Sequence, residues 1–425
     1  MITSAAANAG GFALREQSAH GQGASFAGVA AGGALSSMFW NPATMTQQKG
    51  IQFEQVFSGI MPYASQTPTA GSTFGALGGV GDSGDDAIVP AGYFSYQVND
   101  RLFVGMSINS PFGLSVSFPD AWAGRNFAEN TNVRSYNFTP SIAYEINNWI
   151  SVGVGVQFQY ATGGFVTGLP VNGFGVPGAA ALTNTADLQF NGWGYGFTAG
   201  VTLTPAPNTT IGIGYRSGIN QKVDGSFSLP GGPLFTPAFG STPGPVEMTL
   251  RLPDTVTVGL RHRFSPQWTV LAGFEWSNWS RIGTSAVNQT SGAPATLSGG
   301  AVTIPLNYKD GYFYSLGAEY DWSPSLTLRS GIAFEKSPVT DDVRTPRLPD
   351  NDRFWLSAGL SYKVNNKITL DAAYSHLFVK STSVSNSLGA IVYNGTVDAH
   401  VDIISLGLKY RWDDPVVRTK QAYLK

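Results

Sequence analysis

The stretch ISVGVGVQFQY, residues 150–160, alternates apolar residues with small or polar ones without a break. Successive side chains of a β-strand point to opposite faces, so one face of this segment is a continuous apolar stripe and the other carries only Ser, Gly and Gln. A strand of this kind separates an oily environment from a wet one. The pattern therefore predicts the wall of a membrane barrel.

Composition supports this interpretation. Only 12% of the 425 residues are charged, about half of the roughly 25% found in soluble domains. No run of about 18 apolar residues occurs and mean hydropathy is -0.02, so helical membrane spans are not expected. A closed sheet is the other structure that satisfies every backbone polar group in a bilayer. The net charge of -2 and the lack of a Lys/Arg cluster argue against nucleic acid as a partner.

Cofactor and metal chemistry is also not expected. The chain has no cysteine, which removes disulfide frameworks, thiolate metal sites and cysteine nucleophiles. Its four histidines lie in no HExxH motif, and no GxSxG elbow occurs. The sequence therefore predicts neither a cofactor, nor a metal, nor an enzyme.

Short polar turns mark the points where strands reverse. They lie at Asn99-Asp100, Asn147-Asn148, Pro205 to Asn208, Ser265-Pro266, Ser323-Pro324 and Asn365-Asn366. Six turns that join strands in pairs, with one strand before and one after, give about fourteen strands, an even number typical of bacterial outer-membrane barrels. Segments rich in Gly, Pro, Ser and Thr are predicted to form long loops at the other rim, over residues 62–86, 118–132, 163–187, 228–244 and 282–300.

Tryptophans cluster near the predicted strand ends. The set is Trp149, Trp193, Trp268, Trp276, Trp279, Trp322 and Trp412. Amphipathic rings suit the two membrane interfaces, so we expect these side chains to form aromatic girdles.

The chain divides into four predicted parts. Residues 1–9 end in Ala7-Asn8-Ala9, a small-x-small cleavage pattern, and are interpreted as the stub of a secretory signal. Residues 10–50 lack strand alternation and form a candidate plug, called here the hatch. Residues 51–412 form the transmembrane barrel, and residues 413–425 form a polar tail. A barrel of about fourteen strands is hollow unless something fills it.

Four short motifs resemble the FadL family of outer-membrane transporters for hydrophobic compounds. They are Gly10-Gly11-Phe12-Ala13-Leu14, Gly21-Gln22-Gly23-Ala24, Trp40-Asn41-Pro42-Ala43 and Ser110-Pro111-Phe112-Gly113-Leu114. The resemblance implies an all-β, antiparallel, fourteen-stranded transmembrane barrel with the hatch in its lumen. It also implies passive uptake of long-chain fatty acids or other hydrophobic molecules, which bind near the hatch and leave sideways at a kinked third strand.

Five apolar residues of the hatch are candidates for the ligand-binding site: Phe12, Leu14, Phe26, Phe39 and Trp40. Ligand pockets are mostly apolar, but so are protein cores, so these side chains either line a ligand site or pack the hatch against the wall. The motif Asn41, Pro42 and Ala43 is expected to shape the hatch, because an Asn side chain can hold a turn.

The predicted kink and lateral exit lie at Ser110, Pro111, Phe112 and Gly113. Pro111 cannot donate a ladder hydrogen bond and Gly113 adds backbone freedom, so strand pairing should fail there. The alternative is that this segment is only the end of a strand that enters a loop.

A buried carboxylate needs a cation or several donors. Strand parity places Arg216, Arg261 and Arg329 on the lumen side as possible carboxylate partners. Some members of the family are expected to carry a basic residue on the upper fifth strand, where this chain has residues 160–163, Tyr-Ala-Thr-Gly. The prediction is therefore broader than fatty acids and covers hydrophobic ligands in general.

Two other functions stay open at this stage. A general diffusion porin would line its lumen with charge, whereas the lumen positions here are mostly Gly, Ser, Thr and Gln. An outer-membrane hydrolase is a third option. The expected partners are a hydrophobic small molecule and the lipid bilayer, and the apolar stripes leave no evident polar interface, so a monomer is predicted.

Overall fold

A computed structural model describes residues 10–169, 185–228, 244–290, 296–297 and 300–412. The predicted signal stub and polar tail lie outside these residues, as do parts of three predicted loops. The described residues form a closed barrel of fourteen antiparallel strands, β1 to β14. This confirms the predicted all-β transmembrane fold.

Each strand pairs with its neighbours in the chain, and β1 pairs with β14 from Gln52 opposite Arg411 to Pro68 opposite Gly395. Because the first and last strands pair, the sheet formed by the described residues closes on itself and has no edge strand. The bounds are β1 Ile51–Pro68, β2 Ala87–Gln97, β3 Leu102–Asn109 and Gly113–Ser117, β4 Asn130–Asn147, β5 Ile150–Gly168, β6 Thr185–Ala206, β7 Thr209–Arg216 and Asn220–Ser228, β8 Gly244–Arg251 and Thr255–Arg263, β9 Trp268–Ser277, β10 Gly311–Asp321, β11 Leu326–Lys336, β12 Arg353–Lys363, β13 Ile368–Val379 and Thr382–Leu388, and β14 Ile391–Arg411.

Shorter elements complete the described chain. Between β9 and β10, Thr284–Ala286 pairs with Thr303–Pro305, Thr296–Leu297 pairs with Gly300–Ala301, and Asn288–Gln289 pairs with β8. The helical turns are an α-helix at Ala19–Gln22 and 3-10 helices at Val29–Ala31, Leu35–Phe39, Pro42–Gln47, Gly75–Leu77 and Trp279–Ile282. Within the described ranges, every helix is too short or too polar to cross a membrane.

The tight turns lie at one rim, and five of the six share one hydrogen-bonding arrangement. At Asn99 the side-chain oxygen accepts hydrogen bonds from the backbone N–H groups of Arg101 and Leu102, both at 2.9 Å. Asn147, Ser265, Ser323 and Asn365 each bond in the same way to the two residues that lie two and three positions ahead. Asn and Ser side chains stabilise turns through such bonds, which explains why these residues mark the reversals in the sequence.

The alternation read from β5 separates outside from inside. Val152, Val154 and Val156 are exposed on the outer surface, whereas Ser151 and Gln157 are buried in the lumen. Trp149, Trp193, Trp268, Trp322 and Trp412 are exposed, as expected for girdle residues. The prediction was wrong for Trp279, which is 1% exposed and packs inside the barrel. It lies in a helical turn after β9, so strand parity does not apply to it.

The hatch packs against the inner face of the wall. Nearly all residues from Gly10 to Thr46 are buried. A Cβ atom placed on Gly212 or Gly214 of β7 would lie 1.8 Å from the backbone oxygens of Ala30 and Trp40, respectively. Glycines at lumen-facing positions of the wall therefore allow the hatch backbone to approach closely. This contact explains the glycines on the strand face that the sequence predicted to be wet.

Candidate functional site

Strand β3 is interrupted between Asn109 and Gly113. The β2–β3 ladder runs only from Gln97 opposite Phe103 to Gly92 opposite Ile108, and the next bridge joins Gly84 to Val116. On the other side β3 stays bonded to β4, where Ser135 N–H donates to the Phe112 carbonyl at 3.0 Å. The wall therefore has a gap between β2 and β3 at the predicted kink. Because β3 resumes at Gly113, the interruption is not simply the end of the strand.

The first described residues of the chain close this gap from inside. Residues 10–14, called here the latch, meet the interruption through an antiparallel bridge between Ala13 and Phe112. Gly113 N–H donates to the Phe12 carbonyl at 2.9 Å, and Leu14 N–H donates to the Pro111 carbonyl at 2.8 Å. The latch supplies backbone partners that β2 does not supply, so removing it would leave both the gap and its polar groups open.

Further contacts hold the latch in place. Gly11 N–H donates to a carboxylate oxygen of Asp350 at 2.9 Å, and Asp350 also accepts from Ser337 Oγ and pairs with Arg353. The Phe12 ring lies edge-on to Trp279 with centroids 4.9 Å apart. Trp279 also contacts Phe112, at 6.1 Å, so one buried aromatic cluster includes latch, wall and loop.

A cavity of about 70 Å³ lies beside the latch. Its lining includes three of the predicted ligand residues, Leu14, Phe39 and Trp40, and two residues of the predicted kink, Pro111 and Phe112. The complete lining is Gly10, Ala13, Leu14, Arg15, Phe39, Trp40, Pro111, Phe112, Gln157, Arg216, Ser217, Ile219, Leu252, Pro253, Thr255, Glu275, Ser277, Trp279, Gly311, Tyr312, Phe313, Glu335 and Lys336.

The other two predicted ligand residues lie elsewhere. Phe12 packs in the aromatic cluster with Phe112 and Trp279. Phe26 is 2% exposed and contacts Trp40 at 5.8 Å and Trp355 of β12 at 6.0 Å between ring centroids. Its place is the packing between hatch and wall rather than the lining of the cavity.

The motif Asn41, Pro42 and Ala43 organises the hatch backbone. Asn41 Oδ1 accepts from Ala43 N–H at 3.0 Å, which caps the helical turn that begins at Pro42. Asn41 Nδ2 donates to the carbonyls of Ala30, at 2.7 Å, and Val201, at 2.9 Å. One side chain thus joins two parts of the hatch to β6, as expected of a residue that shapes the hatch.

Of the three predicted carboxylate partners, only Arg216 reaches the cavity. Its guanidinium lies 4.2 Å above the centre of the Phe39 ring, donates to the Phe39 carbonyl at 3.0 Å and bonds to Gln157. No carboxylate of the described residues forms an ion pair with it. The cation keeps donor groups near apolar walls, which is the arrangement that a buried carboxylate requires.

Arg261 and Arg329 are already paired. Both bond to Glu319 of β10, with nitrogen–oxygen distances of 2.6 Å and 2.9 Å. Asp371 of β13 adds a salt bridge to Lys409 at 2.8 Å. These ions belong to a buried network outside the lining of the cavity, so parity placed both arginines in the lumen but could not distinguish a paired cation from an unpaired one.

The hatch contributes two buried titratable groups. His20 lies between Lys409, 3.2 Å from its Nδ1, and Glu319, 3.2 Å from its Nε2. Burial lowers the pKa of His20 to about 3, with the Arg329 and Lys409 charges acting in the same direction. Glu16 is 1% exposed, and neither of its carboxylate oxygens has a hydrogen-bond partner among the described groups. Burial raises the pKa of Glu16 to about 7.

Comparison with known proteins agrees with this geometry. Residues 1–412 match the model of a protein family described as outer membrane protein transport protein (OMPP1/FadL/TodX). The chain is 29% identical over 406 residues to the long-chain fatty acid transport protein of Escherichia coli strain K12, covering 88% of this chain and 89% of that protein. It is 27% identical to outer membrane protein P1 of Haemophilus influenzae, covering 96% and 97%.

Two solved structures share the fold. A FadL homologue from Pseudomonas aeruginosa superposes with a TM-score of 0.84 at 23% identity, covering 95% of this chain and 100% of that one. The toluene transporter TodX of Pseudomonas putida superposes with a TM-score of 0.65 at 16% identity, covering 90% and 95%.

Proposed function

Because the chain belongs to the OMPP1/FadL/TodX family of outer membrane transport proteins, we propose that it carries hydrophobic molecules passively across the outer membrane, with lateral release at β3. The observation that carries this proposal is the shared position of the cavity and the gap. Pro111 and Phe112 line the cavity and also form the interruption in β3, with the latch between cavity and bilayer.

Lateral release suits an apolar cargo. A molecule that passes from the cavity into lipid avoids exposing its apolar surface to water, at about 25 cal/mol per Å². The route also avoids the buried hatch beneath the cavity. Names of relatives point to two cargo classes, since the Escherichia coli protein is called a fatty acid transporter and the Pseudomonas putida protein a toluene transporter.

The cavity is that of a closed state. Its volume of about 70 Å³ is smaller than the roughly 150 Å³ of an apolar cavity that holds benzene. Binding therefore requires the lining of the cavity to move, and a movement of the latch would at the same time open the gap in the wall. A monomer suffices for this route, because cavity, latch and gap all belong to one chain.

Arg216 favours amphiphiles that carry a carboxylate over neutral hydrocarbons. Hydrogen bonds to a charged group contribute about 1.5–3 kcal/mol, so Arg216→Gln should raise the Kd of a long-chain fatty acid about 10- to 100-fold. The Kd of its methyl ester should change little. Binding is measured on the purified barrel in detergent through quenching of tryptophan fluorescence.

Lys222→Gln is the matched control, because Lys222 lies on the same strand but is exposed outside the lumen. An equal increase in the Kd of the acid and of the ester in Arg216→Gln would contradict a role for Arg216 in binding the carboxylate. It would indicate a purely apolar site. Failure of the parent protein both to bind either ligand and to carry it into proteoliposomes would overturn the proposed function itself.

A further inference from the structure

Strands β7 and β8 are interrupted at the same level. Their ladder pairs Arg216 with Thr255 and resumes with Asn220 opposite Arg251. In the three residues between, one backbone bond remains, from Leu252 N–H to the Ile219 carbonyl at 2.9 Å. Pro253 has no N–H to donate, so the wall has a second weak point.

This weak point borders the same cavity. Ser217, Ile219, Leu252 and Pro253 line it on one side, and the β3 interruption lines it on another. The outer surface beside the weak point is apolar, since Phe197 is 52% exposed and Ile213 is 41% exposed. Only a thin section of wall therefore separates the cavity from lipid at β7 and β8.

Side chains rather than a backbone ladder close this section. The carboxylate of Asp254 accepts from Gly218 N–H at 2.9 Å, from Tyr215 Oη at 2.7 Å and from Arg281 Nη1 at 2.7 Å. Its backbone carbonyl accepts from Asn278 N–H at 2.8 Å. One residue thus joins β7, β8 and the turn after β9.

Gly218 is required for this closure. A Cβ atom on residue 218 would lie 1.7 Å from Nη1 of Arg281. The guanidinium that pairs with Asp254 therefore occupies the space that any other residue at 218 would fill. The backbone break, the glycine and the ion pair form one closed unit.

We propose that the interruption of β7 and β8 is a second lateral opening between the cavity and the bilayer, held shut by Asp254. The proposal rests on the proposed transport function and extends it, because a hydrophobic molecule in the cavity would have two exits. The latch closes the first exit, and the Asp254–Arg281 ion pair closes the second. Loss of the pair opens the second exit without any movement of the latch.

The test uses a chain whose first exit is locked. Ala13 and Phe112 are bridge partners, so oxidised Ala13→Cys/Phe112→Cys ties the latch to β3. In this locked chain, added Asp254→Ala should raise uptake of a fluorescent fatty acid into proteoliposomes at least threefold. Arg281→Gln should act in the same direction. Unchanged uptake in both, with fatty acid binding retained, would overturn the second opening.

Asp402→Ala is the matched control. Asp402 also lies on the outer surface and accepts from a tyrosine and a basic side chain, Tyr374 at 2.6 Å and His376 at 2.7 Å. It lies within the continuous part of the ladder between β13 and β14, from Ile368 opposite Tyr410 to Phe378 opposite His400, so its loss should leave uptake by the locked chain unchanged. A gain equal to that of Asp254→Ala would contradict the proposal.

A second variant tests the opening at β7 and β8 in a chain whose latch is free to move. Asn220 and Arg251 are exposed and lie opposite each other, so Asn220→Cys/Arg251→Cys staples β7 to β8 above the break. In an Asp254→Ala chain with a free latch, uptake in the reduced state should exceed uptake in the oxidised state at least twofold. Equal rates with a complete disulfide would exclude the opening, whether or not β3 proves to be an exit.

Discussion

Glu16 is the residue through which the stability of the docked hatch depends on pH. Its carboxyl group is buried in the hatch, and Arg15, Glu335 and Arg353 are the charged groups that act on it. Burial raises the pKa of Glu16 to about 7, above its ordinary value of 4.5. The neutral form therefore stabilises the docked hatch fully below pH 4.5, and this stabilisation is lost as pH rises through about 7.

We expect faster hydrogen exchange of the hatch amides at pH 8.5 than at pH 5.5, after correction for the intrinsic rates. Glu16→Gln should remove this difference, because an amide stays neutral throughout. Glu145→Gln is the control, since Glu145 pairs with Lys49 near the rim at 2.7 Å. A pH dependence that persists in Glu16→Gln would assign it to another group.

Single residues were the hardest part of the site to predict. Parity placed Arg216, Arg261 and Arg329 in the lumen alike, but only the contacts between strands show that Glu319 pairs with Arg261 and Arg329 and not with Arg216. Trp279 was expected at an interface because it follows an alternating strand, yet the chain turns inward there and buries the ring against Phe12. Both outcomes depend on tertiary contacts that one strand's pattern does not contain.

At the scale of elements, the fit between hatch and wall depends on small residues. Gly214→Val should push the hatch backbone away from β7, because a Cβ atom there meets the Trp40 carbonyl at 1.8 Å. We expect a new steady ion conductance in planar bilayers, where the parent barrel is closed. The outer surface is unchanged, so the barrel should still fold.

Gly59→Val provides the control, because the nearest atom to a Cβ atom at Gly59 is 3.8 Å away, an ordinary contact. It should conduct no more than the parent. A parent protein with the conductance of an open porin would contradict a filled lumen and restore the diffusion porin as the function.

Elements were predictable where local chemistry decides them. The six turns follow from Asn, Ser and Pro, and the fourteen strands follow from the alternation between them. Pro111 predicted the break in β3, because proline has no N–H to donate to a neighbouring strand. Pro253 of β8 has the same property, but only the register reveals that it faces Gly218 of β7 across one break.

The closed barrel explains how the wall, the hatch and the latch act together. Fourteen strands make a lumen wide enough for a hatch, and the hatch brings the latch to the interruption of β3, where β3 lacks a full ladder with β2. Sequence could predict the barrel and its plug, since both follow from periodicity and length. It could not predict that the latch completes the wall, because this contact joins residues about one hundred positions apart.

Release through the wall at β3 is tested most directly by fatty acid uptake into proteoliposomes that contain Ala13→Cys/Phe112→Cys. Oxidation should lower the uptake rate at least fivefold, because the latch can no longer leave the gap in β3, and a reductant should restore it. The chain has no cysteine of its own, so the bond forms at one place. Undiminished uptake with the disulfide complete by mass spectrometry would contradict release through the wall at β3.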